Sequence, residues 1–143
     1  MKVHILLIFL HALSSQCSEV ILITGGYGSL DTAELYLPSS GLSCSLPRLP
    51  DDRERHTVDS SGLICGGWSP VATCIQWSPD TGTWEELLTL DVGRWTHVSW
   101  TPNSGIGTYL MGGGYYDEGR RTTTLIRPDG TQETGFSLKY DAE

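Results

Sequence analysis

The chain has 143 residues, with 17 acidic against 9 basic side chains and a formal net charge of -8. That length fits one domain. An acidic surface without a basic run repels phosphate backbones and argues against nucleic acid as a partner.

The first elements are read from the N-terminus. Lys2 is followed by an apolar run, Ile5 to Leu13, interrupted only by His11, and then by small polar residues. This is the layout of a secretory signal peptide over residues 1–17, with Ser15 and Cys17 at the small-residue positions before the cut. The run is too short to cross a hydrocarbon core of ~30 Å, so an anchored or buried segment is the weaker reading. No other stretch is long and apolar enough for a membrane helix, and no membrane contact is expected once the leader is removed.

Residues 18–143 then read as all-β, because short apolar runs alternate with Gly, Pro, Ser and Asp clusters. Ile21–Thr24 runs into Gly25-Gly26 and Tyr27, and Tyr36-Leu37-Pro38 follows. Arg53 and His56 open a second set, with RHTV and GLIC as strands ending at Gly66-Gly67 and Trp68. TCIQW, a turn at Asp80-Thr81-Gly82 and TWEELL complete it. Arg94 and His97 open a third set, which reaches Gly112-Gly113, Tyr115-Tyr116, Ile126-Arg127-Pro128 and a turn at Pro128-Asp129-Gly130.

These landmarks repeat. The glycine pairs recur at intervals of roughly 40–50 residues, the range of sheet-based repeats. Tyr36 and Trp77 lie equally far beyond Gly25 and Gly66, and Arg53 and Arg94 lie equally far beyond Tyr36 and Trp77, each with a histidine three residues on. Each unit therefore reads as up to four short antiparallel strands, over residues 18–50, 53–91 and 94–140. Such a sheet cannot bury both faces alone, but stacking side by side buries them. Glycine pairs suit strand ends that exit where a neighbouring sheet crowds the backbone. Tyr36, Trp77 and Trp84 are expected to fill the wedge between sheets. Arg53 and Arg94 are expected to tie units together through carbonyls or carboxylates.

The run LICGG, then Trp77, Trp84 and Arg94, resembles the kelch repeat, and the resemblance extends over about residues 20–140. The middle unit matches best. In the first, Cys44 stands near the expected tryptophan, and in the third Ile126 replaces the aromatic. The resemblance implies a β-propeller. Propellers close with about 4–8 blades, so three units imply a partial propeller, with one complete and two partial blades. The chain is then a fragment, or it associates with copies of itself or with a partner that supplies the remaining blades.

Ser78–Trp84 also resembles the Asp box of sialidase propellers, but it is one residue short and occurs once, so a hairpin turn is the simpler account. Beyond the leader, Cys44, Cys65 and Cys74 remain. If the strands flanking Gly66-Gly67 pair, Cys65 and Cys74 face each other, and this bridge is the first choice. Cys44–Cys65 is the alternative, and Cys44 is otherwise free, paired with Cys17 or bonded to another chain. The disulfide reading suits an oxidising compartment. Without a CxxC, and with His56 and His97 at equivalent positions, zinc is not expected, and no cofactor is assigned.

Catalytic signatures are sparse. No Gly-x-Ser-x-Gly, HExxH or phosphate loop occurs. Asp51, Asp52, His56, Asp59, Ser60 and Ser61 form a triad only on paper. The family resemblance extends to galactose oxidase, but Tyr115, Tyr116 and Cys65 are not assigned its roles. The loops after the glycine pairs carry Tyr27, Trp68, Tyr115 and Tyr116, residue types that anchor protein interfaces, although they also serve to shield loop bases. Asp117-Glu118 beside Arg120-Arg121 reads as a solvated loop tip. The function expected is a secreted, non-catalytic kelch-type module that binds protein or glycan through its loops. The alternative is a piece of a secreted propeller enzyme, an oxidase or a sialidase-like glycosidase.

Overall fold

A computed structural model of the chain describes residues 20–69, 72–114 and 120–140. The segment expected as a leader, Tyr115, Tyr116, Asp117 and Glu118 lie outside the described residues. The strands form three antiparallel sheets in chain order. The first holds β1 (Ile21–Thr24), β2 (Ala33–Leu37) and β3 (Leu42–Ser45). The second holds β4 (Thr57–Val58), β5 (Leu63–Cys65), β6 (Thr73–Ser78) and β7 (Thr83–Thr89). The third holds β8 (Val98–Trp100), β9 (Thr108–Met111), β10 (Thr123–Ile126) and β11 (Gln132–Thr134). Each sheet is a meander in which sequential strands are neighbours.

The turns explain the meanders. Gly82 closes the β6–β7 hairpin at positive φ, with its N–H on the Ser78 carbonyl at 2.8 Å. Asp59 organises the β4–β5 turn by accepting from the Ser61 and Leu63 N–H groups at 2.7 and 3.0 Å. Asp129 repeats the device before β11, accepting from Thr131 N–H at 2.9 Å. An aspartate side chain that receives backbone N–H groups two residues on substitutes for a backbone turn.

Side-chain alternation then gives each sheet two different faces. Ile64 and Ile75 of the middle sheet pack with Ala33, Leu46 and Leu49, flanked by Leu22, Leu35, Val58, Trp77 and Trp84. This cluster joins the first and second sheets. Leu63, Cys65 and Cys74, on the opposite face, pack with Leu90, Leu110 and Ile126 and join the second and third. The middle sheet is therefore covered on both sides, and β5 is buried throughout.

Trp77 and Trp84 are direct cross-strand partners with ring centroids 5.3 Å apart, edge to face. Trp84 Nε1 donates to the Pro47 carbonyl at 2.9 Å, tying β7 to the segment that leaves the first sheet. Tyr36 is different. It alternates with Leu35, which points into the first cluster, so it lies on the face of the first sheet turned away from the second. The strand expected over RHTV is shorter, Thr57–Val58. Arg55 takes a left-handed conformation with φ 59°, which breaks the extended run before His56.

Cys65 and Cys74 pair directly across β5 and β6 and are joined by a disulfide, with Cα atoms 4.1 Å apart. Cys44 is free, so the alternative bridge to Cys65 is not formed. Neither bonded cysteine is more than 1 % exposed, and the bridge is part of the core between the second and third sheets. A closed loop of this sequence separation, 9 residues, restricts the unfolded chain by about 2–3 kcal/mol in the chain-entropy account. The double variant Cys65→Ala/Cys74→Ala should lose roughly that much in urea denaturation, whereas Cys44→Ala should leave the midpoint nearly unchanged.

Candidate functional site

The glycine pairs, the arginines and the histidines meet along one edge of the stacked sheets. The junction between the second and third units shows how. Gly66 ends β5 at φ 62°, and a Cβ there would overlap the Arg94 carbonyl and come within 3.0 Å of His97 Cε1. Gly67 N–H donates to that same Arg94 carbonyl at 2.9 Å. Only a residue without a side chain, free to adopt positive φ, lets the next unit's backbone come so near. The preceding junction is built identically, with Gly25 against Arg53 and His56 and with Gly26 N–H on the Arg53 carbonyl at 3.0 Å.

While its carbonyl reaches back, each arginine side chain reaches forward. Arg53 Nη1 donates to the carbonyls of Gly66 and Thr73, both at 3.0 Å, and Nη2 to Thr73 Oγ1 at 2.6 Å. Arg94 Nη1 donates to the carbonyls of Gly112 and Thr122 at 2.6 and 3.1 Å. Its Nη2 donates to Thr122 Oγ1 and Thr124 Oγ1 at 2.9 and 3.1 Å. Both guanidinium groups are fully buried. Five donors in a rigid fork suit several fixed oxygens, which a lysine ammonium does not match. Gly113 is also crowded, since a Cβ would lie 2.5 Å from the Trp95 carbonyl and 2.7 Å from His97 Cβ.

The histidines reach back with the carbonyls. His56 Nε2 bonds Thr24 Oγ1 at 2.9 Å, and His97 Nε2 bonds Thr57 Oγ1 at 2.8 Å. Burial, with the adjacent arginine adding to it, pushes both imidazoles below their ordinary range, His97 to about 4. Near neutral pH the uncharged form is therefore favoured in both. The paper triad does not assemble. His56 is engaged with Thr24, while Asp59 is occupied by Ser61, Leu63, Thr101 and Thr108.

Between each arginine and histidine lies a left-handed residue that sequence reading did not find, Arg55 at φ 59° and Thr96 at φ 52°. Thr96 N–H donates to the Arg55 carbonyl at 2.9 Å, adding another bond between units. The turn at Arg55 carries its guanidinium outward, 4.9 Å from the Trp95 ring centroid and 5.7 Å from that of Trp68. The two indoles meet edge to face at 4.6 Å. Arg55 and Trp95 were missed because only the flanking Arg and His of the motif recur.

Two clefts open on this rim. The first, of 380 Å³, is lined by Tyr27, Leu30, Asp52, Glu54 and Trp68. Tyr27 is 97 % exposed and Trp68 45 % exposed. The Glu54 carbonyl accepts from Trp68 N–H at 2.8 Å, which fixes one wall. The second, of 390 Å³, is lined by Arg55, Trp95, Thr96, Gly114 and Arg120. One cleft thus combines aromatics with carboxylates, and the other an aromatic with guanidinium groups. Of the four loop aromatics singled out in sequence, Tyr27 and Trp68 share the first cleft, and Tyr115 and Tyr116 lie outside the described residues. Among the described residues, no group of three or more His, Cys, Asp or Glu converges as metal ligands would. No protein-family model matches the chain, and no curated protein sequence matches it.

The junctions make two predictions. Arg94→Lys should destabilise the fold by roughly 2–4 kcal/mol in urea denaturation, because buried carbonyls lose their partners. The exposed Arg48→Lys, at the Asp31 ion pair, should leave the midpoint in place. The second concerns pH. A buried histidine whose folded value is about 4 against 6.5 unfolded contributes stability that is full above pH 6.5 and is lost as the pH falls toward 4. Between pH 7.5 and 4.5, wild type should lose about 2–3 kcal/mol more than His97→Gln. Equal losses would show that His97 is not held neutral.

Proposed function

We propose that the chain is a secreted portion of a kelch-type β-propeller, without catalytic activity of its own, that binds a protein partner through the rim carrying the glycine pairs. Three successive sheets, packed in order and tied by one recurring arginine–glycine–histidine junction, support the propeller reading. The N-terminal leader pattern and the Cys65–Cys74 disulfide support an extracellular location. No helix among the described residues is long and apolar enough to cross a membrane.

The observation that carries the binding role is the composition of the first cleft. Tyr27 and Trp68 line it together with the acidic residues Asp52 and Glu54. Aromatic faces attract cations, and a carboxylate adds a direct ionic partner. The cleft suits a lysine or arginine side chain presented by the partner. The chain's formal net charge of -8 favours approach of a basic partner.

A hexa-arginine peptide titrated against the protein at low salt should quench tryptophan fluorescence saturably. Trp68→Ala and Asp52→Asn/Glu54→Gln should each weaken binding by roughly tenfold or more, as for anchor residues at interfaces. The charge-matched control Asp129→Asn/Glu133→Gln, on the distant β10–β11 hairpin, should leave it unchanged. Equal weakening by both double variants would reduce the effect to bulk charge and overturn the assignment to this cleft.

A further inference from the structure

The outer faces of the first and third sheets both carry exposed apolar residues and differ from each other. On the first sheet, Ile21 and Ile23 are 48 % and 46 % exposed, and Tyr36 stands beside Ile21 in register. On the third, Val98, Trp100 and Phe136 are 59 %, 54 % and 52 % exposed. Trp100 stacks on Tyr109 at 5.8 Å, and Phe136 lies 5.9 Å from Tyr109. Isolated exposed apolar residues are ordinary, but several side by side on one sheet face mark a contact surface.

The chain itself shows what each face accepts. In the register of the sheets, Tyr109 and Met111 stand where Leu63 and Cys65 stand in the middle sheet. Leu63 and Cys65 form the face that receives the following sheet, through Leu110 and Ile126. Ile23 and Tyr36 stand where Ile64 and Trp77 stand. Ile64 and Trp77 form the face that docks on the preceding sheet. The outer face of the third sheet is thus of the receiving kind, and that of the first sheet is of the docking kind. Like faces are not paired anywhere among the described residues, whereas receiving and docking faces are paired twice.

We infer that a second copy of this chain covers both faces, with the first sheet of each copy docked head to tail on the third sheet of the other. The junction repeats the internal ones in the placing of Ile23 and Tyr36, with Glu34 and Ser43 where the middle sheet has Ile75 and Trp84. Two copies close the assembly with twofold symmetry, although the two surfaces in each contact are unlike. The choice of faces stands on the internal junctions. The number of copies rests on the propeller reading, in which six sheets fall inside the usual range of about 4–8 and nine fall outside it.

The test is the mass of the purified chain in solution, measured by light scattering on a sizing column, with Ile23→Glu and Trp100→Glu as variants. Wild type is expected at twice the monomer mass. Each single variant is expected as a folded monomer, because each spoils both contacts of the closed pair, with circular dichroism and an intact Cys65–Cys74 bridge confirming the fold. Mixing the two variants is expected to restore a one-to-one pair through the one junction left unaltered. A monomeric wild type overturns the inference. A dimer that survives Ile23→Glu or Trp100→Glu overturns the head-to-tail arrangement, since it must use only one of the faces or neither. An assembly larger than two overturns the closure at two copies and, if rim binding persists, leaves the proposed rim function standing.

Discussion

The structure turns on a buried arginine that belongs to two sheets at once. A guanidinium removed from water is costly unless its donors are satisfied. Arg94 places its two terminal nitrogens on the carbonyls of Gly112 and Thr122 and the hydroxyls of Thr122 and Thr124. Its own carbonyl is claimed by Gly67 of the sheet behind. The residue therefore sets how closely consecutive sheets approach. The glycine pair follows from that distance, because the Arg94 carbonyl occupies the space where a Cβ on Gly66 would be. Arginine and glycine are two halves of one device, and Arg53 with Gly25-Gly26 repeats it.

This explains which parts of the fold were legible in the sequence. A device that demands particular residues leaves them at fixed intervals, so the glycine pairs, Arg53, Arg94, His56 and His97 stood out, and the sheets could be placed between them. The Cys65–Cys74 bridge was legible because a hairpin brings opposed residues together whatever the rest of the fold does. Features set by backbone geometry alone left no trace. Arg55 and Thr96 share a left-handed conformation, but neither is glycine or asparagine, and they differ chemically. The shortness of β4 and the outward path of Arg55 toward Trp68 and Trp95 follow from that hidden turn. The direction of Tyr36 was also illegible, since period-two alternation says which residues share a face but not which neighbour the face meets.

The disulfide is not part of the repeated device. In register, Cys65 and Cys74 correspond to Thr24 and Ala33 in the first sheet and to Met111 and Thr123 in the third. Those sheets form without a covalent link at that position. The bridge is an addition to the one sheet that packs on both sides, in the cluster with Leu90, Leu110 and Ile126. A stack in which each unit touches only its neighbours has nearest-neighbour stability, so a constraint on the central unit supports both junctions together.

The same economy bears on the rim. Recognition by exposed loops loses affinity to the ordering of the groups that make contact. Here the loop bases are already ordered. Gly67 and Trp68 are hydrogen-bonded to Arg94 and Glu54, and Thr96 to Arg55. Trp68, Trp95 and Arg55 brace one another above them. The left-handed conformation at Thr96, unfavourable for a β-branched residue by on the order of 1 kcal/mol or more, is held by the buried junction beneath it. The internal architecture and the exposed surface are therefore not separate. The interaction that spaces the sheets also holds Trp68 and Trp95 in position before any partner arrives.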